Sequence, residues 1–268
     1  MSKISKKFIK LKQKGNAAFM PFTVAGDPNY KTSIKILRKL SKTADLLEIG
    51  FPYSDPLADG PVIQAANARA LVAGANTDMV FKLISEVRKF SDLPITALVY
   101  ANLVYQYGIN DFYRQANRSG INGVLIPDLP IDEAAPFVKA AQENRINPIF
   151  LVTQTTTPAR LVKILKSAKG YLYLVSVLGV TGARRVFAKN TVEFIKRIKT
   201  QTGLPVAVGF GISNANQART FVAAGADGII VGSAIIEKII KHGIGAKLTN
   251  FLKEFSTLNY GSRKNLRS

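Results

Sequence analysis

Short runs of consecutive apolar residues recur along the chain, and between them apolar positions fall three and four apart. The runs span residues 18–25, 46–51, 95–101, 123–129, 148–153, 171–177, 205–211 and 228–234. Most are continuously apolar rather than alternating, which is the signature of strands covered on both faces. The spacers read as helices. Residues 31–40 place Ile34, Ile36, Leu37 and Leu40 at helical intervals, and 77–90 do the same with Met79, Val80, Leu83, Ile84 and Val87. Residues 132–143 open with Asp132 and Glu133, and 158–167 open with Pro158, both helix-start signals. Residues 190–200 and 214–224 follow the same logic. Ile235, Ile236, Ile239 and Ile240 form a helical stripe after the eighth run. Ile4, Phe8, Ile9 and Leu11 predict a short amphipathic helix ahead of the first strand, covering one end of the core.

Eight strands alternating with helices predict an α/β fold, a closed (β/α)8 TIM barrel with a short N-terminal helix. A doubly wound open sheet is the alternative, weakened by the even spacing and by the lack of a G-x-G-x-x-G after the first strand. One barrel domain is expected over residues 1–258, with a basic, disordered tail over 259–268.

Composition removes several chemistries. The chain of 268 residues has no cysteine and one histidine, His242. Thiolate metal sites, cysteine nucleophiles, Ser-His triads and multi-histidine zinc sites are therefore excluded or disfavoured. No run of 18 apolar residues exists to span a membrane. The first fifteen residues hold six lysines and no long apolar block, so they do not read as a secretory signal. Lys and Arg number 37 against 17 Asp and Glu, a formal charge of +20. The basic residues are dispersed and carry no nucleic-acid motif, so the expectation is a solvated lysine-rich surface with no nucleic acid and no membrane as partner.

A barrel places its chemistry at the carboxyl ends of the strands. There the sequence holds Glu48, a carboxyl group inside the apolar run Leu46-Leu47-Glu48-Ile49-Gly50-Phe51. A buried carboxyl is either satisfied structurally or poised by desolvation as a general acid/base. Asp59 follows in the stiff loop Ser54-Asp55-Pro56-Leu57-Ala58-Asp59-Gly60-Pro61, where it is either the cap of a helix starting near Pro61 or a functional acid. Gly209-Phe210-Gly211 and Gly232-Ser233-Ala234 end the seventh and eighth runs, the place where barrels bind phosphate through backbone amides. Gly179-Val180-Thr181-Gly182 is a third glycine segment, suited to a lid. No strand carries a lysine for Schiff-base chemistry. Carboxylate-only metal binding at Asp55, Asp59 and Asp128 is not favoured.

Taken in order, Pro21-Phe22, Gly26-Asp27-Pro28, Leu47-Glu48-Ile49-Gly50, the segment from Ser54 to Pro61, Gly179-Val180-Thr181-Gly182, Gly209-Phe210-Gly211-Ile212 and Gly232-Ser233-Ala234 resemble the tryptophan synthase alpha chain family. The resemblance runs from about residue 18 to residue 255, and the Ser54–Pro61 segment is its most specific part. It implies cofactor-free and metal-free retro-aldol cleavage of indole-3-glycerol phosphate to indole and glyceraldehyde 3-phosphate. It implies Glu48 as the proton-transferring residue and Asp59 as the partner of the indole N–H. Phe22, Leu98 and Tyr173 match indole-pocket positions. Gly182, Gly211, Gly232 and Ser233 match the phosphate site, and Thr181 a lid residue that meets the aspartate. The resemblance implies an α2β2 complex with a pyridoxal-phosphate beta chain, contacted in part by the loop bearing Asp55 and Pro56. The abundance of lysine, isoleucine and asparagine points to an AT-rich genome, and so to a bacterial cytoplasm or, for an organelle-encoded chain, a plastid stroma. The high net charge departs from the family pattern, Gln154 has no assigned role, and Arg184 and Arg185 are expected to face water.

Overall fold

A computed structural model describes residues 1–175, 184–209 and 211–260, without the side chains of 184–189. All eight apolar runs contain a strand: β1 Ala18–Val24, β2 Leu47–Gly50, β3 Ile95–Leu98, β4 Gly123–Leu125, β5 Asn147–Val152, β6 Leu172–Val175, β7 Val206–Gly209 and β8 Gly228–Val231. Each strand is parallel to its neighbour, and β1 pairs with both β2 and β8, through Phe22↔Glu48 and Ala18↔Gly228 among others. That last ladder closes the cylinder and removes the open-sheet alternative. Most strands are shorter than their apolar runs because the last residues of those runs leave the sheet and enter the loops at the carboxyl end.

Alternation along each strand separates two apolar layers. Leu47, Ile49, Ile95, Ala97, Leu172, Leu174, Val206 and Val208 face outward and pack under the helices. Ala18, Met20, Phe22, Leu98, Leu125, Ile149, Tyr173, Ala207 and Ile230 face inward and fill the cylinder. The outer layer is closed by helices α2 Tyr30–Leu40, α3 Pro61–Val72, α4 Thr77–Arg88, α5 Ala101–Tyr107, α6 Ile109–Ser119, α7 Ala135–Glu143, α8 Pro158–Ser167, α9 Arg184–Lys199, α10 Ala215–Ala223, α11 Ser233–His242 and α12 Ala246–Lys253. Asn29, Asn76, Thr157 and Asn214 cap their helices by accepting an N–H from the first turn. Asp132 and Glu133 form a 3-10 turn, and the helix itself begins two residues later at Ala135.

The N-terminal helix α1, Lys3–Gln13, plugs the amino end of the cylinder with Ile4, Phe8 and Leu11. Two strand glycines make this possible. A Cβ on Gly123 would lie 2.9 Å from Ile4 Cδ1, and one on Gly228 3.3 Å from Phe8 Cε1. The plug leaves the opposite, carboxyl end as the place where the cylinder opens. The segment from Asn259 begins in contact with the barrel. Asn259 bridges Asn16, and the Tyr260 hydroxyl donates to Asp227 at 3.1 Å. Residues 261–268 lie outside the described part.

Candidate active site

β2 carries Glu48 inward because its neighbours Leu47 and Ile49 must face the helices. The side chain is 1% exposed, and among the described residues neither carboxyl oxygen has a hydrogen-bond partner. Burial without partners penalises the charged form. Its pKa is accordingly raised to about 8, first by desolvation and then by the charge of Asp59. Isolation of this kind argues against a satisfied structural carboxylate, the first of the two readings open for Glu48.

Asp59 ends the stiff loop that follows β2. The capping alternative for this residue is overturned. Helix α3 starts on Gly60 with no side-chain cap, and Pro61 supplies the preset φ of the first turn. Asp59 is held by other groups. Its Oδ2 accepts from the Tyr100 hydroxyl at 3.2 Å and from Asn67 Nδ2 at 3.5 Å. Gln64 Nε2 donates to the Asp59 carbonyl at 2.8 Å, and the Ala58 N–H donates to the Tyr100 oxygen at 3.1 Å. The Tyr100 ring stacks on Tyr53, with centroids 4.7 Å apart, and Asn67 Oδ1 accepts the Tyr53 N–H. Burial raises the Asp59 pKa to about 6, against the Tyr100 and Asn67 hydrogen bonds, which favour the anion. Two carboxyl groups thus share one end of the barrel with different titration points, the arrangement that separates an acid from a base.

Asp59 borders a cleft of about 220 Å³. Phe22, Leu98, Tyr173 and Ile230 give it an apolar floor, while Gly211, Ser213, Gly232 and Ser233 give it a polar far end. Glycines shape the floor. A Cβ on Gly50 or Gly232 would press into the Phe22 ring at 2.8 and 2.9 Å, and one on Gly209 would overlap the Tyr173 hydroxyl. Gly232 therefore serves the aromatic wall as well as the loop. At the far end, Asn214 caps helix α10 by accepting the Gln217 N–H, and the Gln217 side-chain oxygen accepts the Ser213 N–H in return. Helix α11 has no side-chain cap, and its first residues, Ser233 and Ala234, border the cleft. Uncapped first-turn amides carry partial positive charge and suit an anion. Gly211 adopts φ of +73°, a conformation that glycine reaches without strain.

Six of the expected pocket residues, Phe22, Leu98, Tyr173, Gly211, Gly232 and Ser233, border this one cleft together with Asp59. Thr181 and Gly182 lie outside the described residues, as do the side chains of Arg184 and Arg185. Asp55 and Pro56 do not border the cleft. Asp55 is exposed, Pro56 is buried, and the neighbouring Leu57 is 91% exposed. Sequence reasoning missed Tyr100 and Asn67, which hold Asp59. Tyr100 stood in the third apolar run just past the strand end, where the barrel rule directs attention. Asn67 was one of two amides, with Gln64, in an alanine-rich α3. Ile63 and Ile212 also border the cleft; Ile63 carried no signal beyond apolarity, and Ile212 stood in a motif of the resemblance without an assigned role. Among the described residues no cluster of three metal-ligating side chains occurs.

A closed (β/α)8 barrel with Asp59 on an apolar cleft that ends on helix amides, and with the buried Glu48 near Asp59 though not itself bordering the cleft, suits acid/base chemistry on an apolar substrate carrying an anion. The family model for the tryptophan synthase alpha chain matches residues 8–262. The chain is 47% identical to the tryptophan synthase alpha chain of Methanoregula boonei over 243 residues, 90% of this chain and 91% of that one. It is 51% identical to the Methanothermobacter thermautotrophicus protein over 223 residues, 83% of each. Among solved structures, tryptophan synthase subunit alpha of Legionella pneumophila superposes with a TM-score of 0.86 at 34% identity, covering 96% and 97% of the two chains. A chain of Mycobacterium tuberculosis tryptophan synthase gives 0.87 at 32% identity, covering 95% and 97%. The chain belongs to the tryptophan synthase alpha chain family. Its activity is the cleavage of indole-3-glycerol phosphate to indole, a lyase reaction of tryptophan biosynthesis.

Proposed function

We propose that Glu48 and Asp59 carry the proton chemistry of this cleavage without metal or cofactor. The C3–C3′ bond breaks once C3 of the indole is protonated and the 3′-hydroxyl gives up its proton. Glu48 is neutral at pH 7 and donates its proton to C3, forming an indolenine. Asp59 is an anion at that pH and faces the indole N–H, whose charge develops in the same step. The Glu48 carboxylate then accepts the 3′-hydroxyl proton as the C3–C3′ electrons return to the ring. Indole and glyceraldehyde 3-phosphate leave, and Glu48 is again protonated. Each positioned acid or base contributes ~10²–10⁴-fold.

Phe22, Leu98 and Tyr173 sandwich the indole in this reading. Backbone amides near Gly182, Gly211, Gly232 and Ser233 hold the phosphate, and Thr181 closes over Asp59 to exclude water. The observation that carries the reading is the half-buried Asp59 on a cleft that ends on the open turn of α11, with the fully buried Glu48 near enough to feel its charge, and pKa values raised to about 6 and about 8 respectively.

Residues 1–258 act as one barrel unit in this proposal, followed by a basic tail. The partner is a pyridoxal-phosphate beta chain that takes the indole, in an α2β2 complex contacted in part by the loop with Asp55 and Pro56. Among the described residues no helix is long and apolar enough to cross a membrane. The compartment in this reading is the cytoplasm of a bacterium or a plastid stroma. The test is incubation of the full chain with indole-3-glycerol phosphate, alone and with a beta chain, with indole and triose phosphate measured. Glu48→Gln and Asp59→Asn should each lose more than about tenfold in rate while remaining folded.

A further inference from the structure

Thr96 is inward on β3 and is the register partner of Glu48 on β2. Partnered residues on adjacent strands lie about 4.8 Å apart in the hydrogen-bonding direction, and both side chains point into the cylinder. Thr96 is fully buried, and its hydroxyl meets the phenol of Tyr171, which follows α8 at the entry to β6, without forming a well-aligned hydrogen bond to it. Both oxygens of Glu48 lack a hydrogen-bond partner among the described residues. These oxygens lie in the dry interior, where buried polar atoms are almost always paired. A valine at position 96 would fill the same space without a hydroxyl.

The groups that face Glu48 are few. Asp59 approaches from the loop after β2, and Tyr171 and Tyr173 approach from β6. Burial raises the Tyr171 phenol well above its ordinary value, the Glu48 charge adds to that, and the Thr96 hydroxyl opposes it. Burial and the Glu48 charge likewise hold Tyr173 high. Both phenols stay neutral across the working range. Asp59 repels a charged Glu48. The Thr96 hydroxyl, by contrast, is placed on the neighbouring strand to donate to a Glu48 anion.

We propose that Thr96 is a positioning residue for Glu48. Its hydroxyl donates to the carboxylate that remains after the proton has left, and so holds that carboxylate where it collects the second proton. This rests on the reading of Glu48 as the acid/base. A hydroxyl that stabilises the anion lowers the pKa of its partner. Thr96→Val deletes the donor at constant shape and moves the alkaline limb of kcat, which requires protonated Glu48, to higher pH by about one unit. It also lowers kcat with KM unchanged.

The experiment measures indole release by the full chain between pH 5.5 and 10 for the wild type, Thr96→Val, Thr96→Ala, Thr96→Ser and Glu48→Gln, with thermal unfolding of each. The expected result is an alkaline shift of the limb in Thr96→Val and Thr96→Ala, and the wild-type limb in Thr96→Ser. Thr96→Val should unfold close to the wild type, because the hydroxyl it removes makes no well-aligned hydrogen bond. A hydroxyl with a merely structural role gives the opposite pattern, lower unfolding temperature and an unmoved limb, and that result overturns the proposal. Full turnover by Glu48→Gln overturns instead the assignment of Glu48 on which the proposal stands.

Discussion

Glu48 should destabilise the fold, and by an amount that depends on pH. Its carboxyl titrates near 4.5 when free and at about 8 in the barrel, because burial disfavours the anion and Asp59 adds repulsion. A folded-state pKa above the unfolded one means that the folded chain holds the proton longer. The acid costs nothing below about pH 4, where both states are protonated. From there to about pH 8 the unfolded chain gains by ionising and the folded chain does not, so stability is lost as pH rises. At pH 7 the interval crossed is about 2.5 units, or about 3 kcal/mol, a ceiling because the side chain relaxes. Glu48→Gln removes the titration and leaves a neutral amide of similar size, whose burial cost is the same at every pH. The assay is urea unfolding of both chains at pH 4.5, 6, 7 and 8. The free-energy difference between Glu48→Gln and wild type should swing in favour of the variant by about 2–3 kcal/mol across that series. A difference constant to within about 0.5 kcal/mol would show that Glu48 is not held neutral by the fold, and the acid step built on it would fall.

Further outcomes follow from the same geometry. The rate profile of the wild type should be bell-shaped, with an acid limb near 6 from Asp59 and an alkaline limb near 8 from Glu48, read as macroscopic values of the pair. Tyr100→Phe removes a donor that favours ionised Asp59, so the acid limb should move to higher pH in a kcat profile, with a loss of about tenfold at pH 6. Gly209→Ala puts a methyl group into the Tyr173 hydroxyl, and should raise KM and lower the unfolding free energy by about 1–3 kcal/mol. Phe8→Ala opens the amino-end plug and should cost about 3–5 kcal/mol in denaturant unfolding while leaving KM unchanged.

The barrel was legible because a strand covered on both faces must be apolar throughout, and eight such runs at even spacing leave few other architectures. The helices at 101–107 and 109–119 were not foreseen. Gly108 divides them, and Tyr100, Tyr105 and Tyr107 blur the periodicity that marked residues 77–90. At the site, Glu48 stood out because a charge inside an apolar run violates local patterning, and functional sites are where such violations occur. By residue pattern alone Asp59 was one acid in a turn-rich loop with a cap reading open, and its role came only from the resemblance. Tyr100, Asn67 and Thr96 were illegible for a different reason. Each sits where its residue type is unremarkable, and its meaning arises only from what the closed sheet brings beside it. The glycines carried two signals at once. Gly232 was legible as a loop residue near an anion site, but its contact with Phe22 depends on the β1–β8 closure and could not be read from one strand.

The central claim is that Glu48 and Asp59 together break the substrate bond. Its most direct test is single-turnover cleavage of indole-3-glycerol phosphate by the wild type, Glu48→Gln, Asp59→Asn and the double variant, with unfolding midpoints recorded for each. The account predicts that each single variant loses more than about tenfold in indole formation while remaining folded, and that the double variant loses little beyond the worse single one because the two groups act in one step. Wild-type indole formation by folded Glu48→Gln would contradict it.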